Sequence, residues 1–248
     1  MATPKAYIRK GTKAAHPVVC LGDSLTQAVL SADYLGYLTE EFGPQGYEFI
    51  NAGYSGDTAY DVLQRVDETV ACHPEIVIVA CGANDAAAHI SPPWMIWYLK
   101  DRKSPLIPTI EWFAENMTKI FARLQKETTA KLAALELPLF TEELNGEVNA
   151  RVQRYNGVLH QVADEAGVPV IPLYEPMAAL IPADFTPPAW DLGRDLMGKA
   201  LTQHYLMRRS WDEISKRNGF LIHTDQAHMN STGARLIANQ IAEWIRTV

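Results

Sequence analysis

The sequence predicts an α/β fold in which a parallel sheet is covered by helices on both faces, and three observations predict it. Short apolar runs alternate with longer amphipathic stretches along the chain. The run Ile76-Val77-Ile78-Val79-Ala80 has no polar alternate positions, as a strand buried on both faces requires. No internal repeat, low-complexity tract or linker divides the 248 residues, so one domain spanning 1–248, long enough for a sizeable core, is expected.

Residues 17–21 read as the first strand, which stops at Gly22-Asp23-Ser24. A helix over 26–42 follows, ended by Phe42-Gly43-Pro44. Tyr47-Glu48-Phe49-Ile50 is a second strand, residues 57–70 are helical until the break at His73-Pro74, and residues 76–80 are the third strand. Residues 110–128 read as a helix, and Leu135 to Phe140 as a fourth strand despite Pro138. A helix over 147–166 is supported by Val148, Val152, Tyr155, Leu159, Val162 and Ala166 on one face. Val168 to Leu173 is the fifth strand, and a helix over 231–246 closes the chain with Ile237, Ile241 and Trp244 in one stripe. Two stretches break this rhythm. Residues 86–109 carry Trp94, Trp97, Tyr98 and four prolines; residues 176–220 carry Pro182, Pro187, Pro188 and a helix around 195–217. Both follow strands, so both are expected on the face where the strands end, either as lids or binding walls or as small satellite cores.

Composition excludes several functions. A formal charge of −7 with scattered basic residues speaks against a polyanion-binding surface, hence against nucleic acid. No apolar stretch is long enough for a membrane span, and the start of the chain lacks a signal-peptide core. Cys20 and Cys81 lie in strand-like runs and the three cysteines have neither zinc nor redox spacing, which points to a reduced, cytoplasmic protein.

The chemistry begins at Val18-Val19-Cys20-Leu21-Gly22-Asp23-Ser24-Leu25-Thr26, a buried strand that ends in a tight turn and offers Ser24 at the head of a helix. Ligands bind at strand carboxyl ends in open α/β sheets, and a helix N-terminus favours developing negative charge. A serine hydroxyl needs a positioned base. Asp225-Gln226-Ala227-His228 supplies His228 as that base and Asp225 to fix its tautomer. Acyl transfer also needs donors for an oxyanion. Asn51-Ala52-Gly53-Tyr54-Ser55-Gly56-Asp57 places Gly53 in a turn after the second strand, and Cys81-Gly82-Ala83-Asn84-Asp85 places Asn84 after the third. Each residue also has a structural reading. Ser24 is a common helix cap, Asp57 a cap for the next helix, and Asp23 and Asp85 residues that tie down their turns. His223, Asp225 and His228 as a metal site are conceivable, but no further ligand cluster accompanies them; His223 reads instead as part of the turn leading to His228.

Gly22-Asp23-Ser24-Leu25, Asn51-Ala52-Gly53 with Ser55-Gly56-Asp57-Thr58, Gly82-Ala83-Asn84-Asp85 and Asp225-x-x-His228 together resemble the ordered blocks of the GDSL/SGNH hydrolases, from about residue 17 to 245. The resemblance implies a flavodoxin-like three-layer α/β/α sandwich with five parallel strands in the order 2-1-3-4-5. It implies Ser24 as nucleophile, His228 as base, Asp225 as its partner, and an oxyanion hole from the Ser24 and Gly53 amides and the Asn84 side chain. It implies no metal or other cofactor. Family members are esterases, lipases, thioesterases and carbohydrate deacetylases, so the expected partner is a small-molecule ester. The expected function is hydrolysis of esters of small to medium acyl groups. Alternatives are carbohydrate O-deacetylation by the same machinery and a non-catalytic binding module on a hydrolase scaffold. Trp94, Trp97 and Tyr98 are candidates for an apolar or sugar-stacking wall. The oligomeric state is not legible in the sequence.

Overall fold

The computed structural model describes residues 1–11, 14–90, 92–100, 105–188, 195–225 and 227–248, without the side chains of residues 92–94, 98 and 195. In chain order the strands are β1 His16–Gly22, β2 Tyr47–Gly53, β3 Ile76–Ala80, β4 Lys131–Leu135 and β5 Val170–Ile171. The helices before β3 are α1 Pro4–Lys10, α2 Ser24–Gln27, α3 Tyr34–Phe42, α4 Ala59–Gln64 and α5 Val66–Val70. Those after it are α6 Ala83–Ala87, α7 Pro92–Lys100, α8 Ile110–Glu127, α9 Glu147–Glu165, α10 Tyr174–Ala178, α11 Asp195–Leu201, α12 Trp211–Asn218 and α13 Ser231–Ile245.

The five strands form one parallel sheet in the order β2-β1-β3-β4-β5. β1 lies between β2 and β3, with Gly22 in register with Gly53 on one side and Ala80 on the other. The three chain segments that leave these residues therefore emerge side by side. Val18, Val19, Cys20 and Leu21 are all inaccessible to solvent, because helices cover both sheet faces. α3 packs with α13, and α8 packs with α4, α5 and α9, giving the two helical layers. α8 shows why sequence pattern and position agree: Phe113, Met117, Ile120, Phe121 and Leu124 recur at helical spacing and are all fully buried.

Several element boundaries differ from the sequence reading. The helix expected over 26–42 is two helices, because Ala28 takes a left-handed conformation (φ 61°) and Asp33 caps a fresh start at α3. The helix over 57–70 breaks at Arg65, whose side chain is drawn to the strand ends. The fourth strand is Lys131–Leu135, not Leu135 to Phe140. Its centre is Ala133-Ala134, too small to register as an apolar run, although both are fully buried. Residues beyond Leu135 instead cross the strand ends as irregular chain. β5 shrinks to two residues, and the helix around 195–217 divides into α11, a single π-turn over Thr202–Leu206, and α12.

Candidate active site

Ser24 opens α2 directly after β1. Asp23 is the N-cap, its carboxylate accepting from the Leu25 amide at 3.1 Å. This short helix leaves the Ser24 amide without a partner among the described residues, as the first N–H groups of a helix are. His228 comes from the far end of the chain. Its Nε2 lies 3.0 Å from Ser24 Oγ, and its Nδ1 lies 2.9 Å from Asp225 Oδ2. The two acidic and basic partners sit at the tip of a small hairpin: Asn230 N donates to Ile222 O at 2.9 Å, and Thr224 N to His228 O at 2.7 Å. Asp225 Oδ1 also accepts from the His228 amide at 2.9 Å, so one carboxylate fixes both the backbone and the ring of His228.

The electrostatics follow from burial. Burial alone raises Asp225, but the charge and hydrogen bonds of His228 outweigh it and hold the carboxyl below its ordinary value. Burial alone lowers His228, but Asp225 and, more weakly, Asp23 outweigh it and hold the imidazole above its ordinary value. The two directions agree on a pair that favours imidazolium beside carboxylate. Burial pushes Asp23 up to about 7 and Asp85 up to about 8. It pushes the Cys20 thiol, one strand position from the turn, up to about 12, which removes it as a competing nucleophile.

The donors facing Ser24 differ in one respect from the sequence reading. The Gly53 amide is turned to Asn51 Oδ1, 3.0 Å away, and does not face the site. Gly53 lies where α2 crosses over β2, and a Cβ there would stand 2.3 Å from the Gln27 nitrogen. Its glycine serves this close approach. Three residues on, Gly56 lines the cavity with Ser24 and Asn84, at φ 83°, and its amide makes no hydrogen bond among the described residues. Asn84, in the first turn of α6, directs its carboxamide nitrogen to Asp57 O at 2.9 Å and toward Asp23 Oδ2 at a longer 3.3 Å. The Gly56 loop is held by Gln27, whose Oε1 accepts from the Ser55 amide at 3.1 Å and from the Ser55 hydroxyl.

These groups border a cavity of about 340 Å³. Its apolar walls include Leu25 and Leu30 beside α2, Trp97 on α7, Phe140 after β4, and Met197 and Leu201 on α11. Trp97 is seated against Gly56: a Cβ at that glycine would lie 2.4 Å from the indole Cη2. Trp94 and Tyr98 belong to the same helix, but their side chains lie outside the described residues.

The GDSL-like lipase/acylhydrolase family model matches residues 20–236. The chain belongs to that family. It is a carboxylic ester hydrolase of the GDSL/SGNH type. Comparison with curated proteins yields no match. Among solved structures, an acetyl xylan esterase is similar at 20% identity and TM-score 0.64, covering 94% of this chain and 100% of its own. A lipase/acylhydrolase from Enterococcus faecalis is similar at 19% identity and TM-score 0.61, covering 94% and 96%. An acetylxylan esterase from Geobacillus stearothermophilus follows at 14% identity and TM-score 0.66, covering 94% and 95%. At these identities the likeness is one of fold, and it agrees with the five-stranded sheet.

Several residues of this esterase's site escape sequence reading. Arg65 donates to Gly22 O at 3.2 Å and Ala52 O at 3.1 Å, tying the ends of β1 and β2 just before their functional turns. Asp57 is its counter-ion at 2.6 Å, not a helix cap; Thr58 caps α4. Asp85 ties α6 to α4 by accepting from the Ala59 amide at 2.9 Å. His223 does not join Asp225 and His228: its ring nitrogens face Glu142 and Leu139 O. Gly56 had a signal, standing two residues before the cap of α4 in the same block as Gly53. Arg65 and Glu142 had none, because their partners are distant in sequence. Among the described residues no helix is long and apolar enough to cross a membrane.

Proposed function

We propose that this chain hydrolyses esters of small to medium acyl groups through an acyl-enzyme on Ser24. The observation that carries the reading is the continuous line from Asp225 through His228 to Ser24 Oγ, with links of 2.9 and 3.0 Å, at the edge of an apolar cavity. Ser24 Oγ attacks the ester carbonyl while His228 Nε2 takes its proton. The tetrahedral oxyanion is received by the Ser24 amide, the Gly56 amide in place of Gly53, and the Asn84 carboxamide, which exchanges its long contact to Asp23 for the oxyanion. His228 then gives its proton to the leaving alkoxide, and water, deprotonated by the same imidazole, releases the acid. No step needs a metal. Asp225 stays ionised and stabilises the imidazolium formed in each half-reaction.

The cavity lining favours an acyl chain over a sugar. Among the described residues its hydroxyl, carboxamide and imidazole side chains are Ser24, Asn84 and His228, committed to the reaction, and Ser55, bonded to Gln27. Sugar hydroxyls buried there would find few side-chain partners among the described residues. Deacetylation of a carbohydrate is the second reading, favoured by the fold likeness to two acetyl xylan esterases, with the sugar then lying outside the cavity. The test is hydrolysis of p-nitrophenyl esters from acetate to laurate, with Ser24→Ala as control and fluorophosphonate labelling of Ser24. Turnover that peaks beyond acetate and vanishes in Ser24→Ala supports the acyl reading. A sharp acetate preference with turnover of acetylated sugars supports the second. A folded wild type that neither turns over nor labels overturns both.

A further inference from the structure

The segment between β4 and α9 carries Glu142, which no step of the reaction uses. Its side chain is inaccessible to solvent, as is that of His223. Glu142 Oε1 accepts from Ile222 N at 2.8 Å and from His223 N at 3.1 Å, and each carboxylate oxygen lies 2.9 Å from Leu221 N. His223 Nδ1 meets Oε1 at 3.1 Å, while its Nε2 faces Leu139 O at 2.9 Å. Both ring nitrogens thus face oxygen atoms of the protein. Burial alone raises the Glu142 carboxyl, but His223 and the Ile222 and Leu221 amides outweigh it and hold it below its ordinary value.

Three successive amides and one side chain gripped by a single buried carboxylate is more than local structure needs. The gripped residues, Leu221 to His223, are the first arm of the hairpin whose tip carries Asp225 and His228, and His223 pairs directly across to Met229, next to His228. The gripping residue is itself fixed. Asn149, buried in α9, accepts from Phe140 N at 3.1 Å and donates to Thr141 O at 2.8 Å and Glu143 O at 2.9 Å, bracketing Glu142 on both sides. Phe140, two residues before Glu142, lines the cavity. One short segment therefore holds both a cavity wall and the base-bearing hairpin.

We propose that Glu142, with His223, is the positioning residue of the Asp225–His228 hairpin, setting the approach of His228 to Ser24 through the buried grip of its carboxylate on Leu221, Ile222 and His223. It touches neither substrate nor reacting atoms. Its effect falls on kcat, because a base displaced by about 1 Å costs on the order of 10²-fold in rate, while KM is left near wild type. The proposal rests on the catalytic reading of Asp225 and His228. That reading is tested separately by Ser24→Ala and by fluorophosphonate labelling of the wild type.

The experiment measures kcat, KM and the pH profile of kcat/KM for Glu142→Gln, Glu142→Asp and His223→Gln, each shown to be folded by cooperative unfolding and near-ultraviolet circular dichroism. Glu142→Gln turns an amide nitrogen or a single acceptor toward three N–H donors; Glu142→Asp keeps the charge but shortens the reach. The expected result for folded Glu142→Gln is a kcat lowered by about 10²-fold, with KM within about threefold. The acid limb should move to lower pH as His228 loosens from Asp225. Glu142→Asp should recover part of the loss. If Glu142→Gln does not fold, the other two variants carry the same test. Wild-type kcat and an unmoved limb in the folded variants would overturn the proposal. So would a loss accounted for entirely by the unfolded fraction.

Discussion

Ser24, Asn84 and the Asp225–His228 hairpin stand on one side of the cavity, and α7 and α11 on the other, and the two sides are built differently. On the catalytic side Asp23, Asp225 and His228 are at most 6% exposed, and hydrogen bonds donated by Asn51 and Arg65 and accepted by Gln27 and Glu142 cross between neighbouring segments. On the facing side α7 has an apolar sequence, Pro-Pro-Trp-Met-Ile-Trp-Tyr-Leu-Lys, yet leaves Ile96 and Leu99 exposed, at 52% and 41%. Among the described residues, Trp97 packs in van der Waals contact against Gly56 on the catalytic side. Polar cross-bonding fixes direction to within the tolerance that proton transfer demands; apolar contact fixes only distance and volume. The difference teaches that, on the proposed reading, the reaction belongs to the strand ends and the choice of acyl group to the two long connections.

That contrast can be broken by experiment. The largest effect is expected at Asp225. Replacement by Asn leaves the ring without its carboxylate and should lower kcat about 10⁴-fold for every ester. It should also move the pH profile in a definite direction. In the wild type His228 is held above 6.5, and the neutral base is gained as pH rises through that raised value. Without Asp225 the main raising influence is lost and only the weaker one of Asp23 remains against burial, which lowers, so the acid limb of kcat/KM should shift to lower pH. A limb that stays in place would mean that Asp225 does not govern His228.

Next comes Asn84→Ala, which removes one oxyanion donor and should cost about 10²–10³-fold in kcat, again evenly across acyl lengths. A loss confined to long chains would place Asn84 with the cavity wall instead. The smallest effect is expected at Trp97→Ala. It should leave acetate turnover near wild type and change the ratio of long- to short-chain kcat/KM by about tenfold, the scale of a methylene or two in an apolar pocket. An equal loss for all esters would show that Trp97 acts through the Gly56 amide, and the two sides would no longer be separable.

Much of this was legible beforehand where a single segment carries its own reason. β1 reads as buried because Val18 to Leu21 are uniformly apolar, and Ser24 reads as exposed at its end because Gly-Asp-Ser cannot continue a strand. The α8 and α9 faces follow from spacing alone. Reading failed where small residues hid a strand, at Ala133-Ala134, and where one helix gives way to the next, at Arg65. It also failed between the two glycines of one block. Gly53 and Gly56 stand in the same block, and the crossing of α2 over β2 and the capture of the Gly53 amide by Asn51 separate them.

The sequence by itself determined the alternation of elements, the family, and the identities of Ser24, Asp225, His228 and Asn84, because each is announced by short-range pattern: an apolar run, a turn, a fixed spacing. The tertiary structure alone decided that the Gly53 amide turns to Asn51 while Gly56 lines the cavity, that Glu142 and His223 form a buried pair, and that α7 and α11 wall one cavity. The last two join residues about 80 or more positions apart. Their energies come from burial and from direction in space, neither of which a linear pattern records.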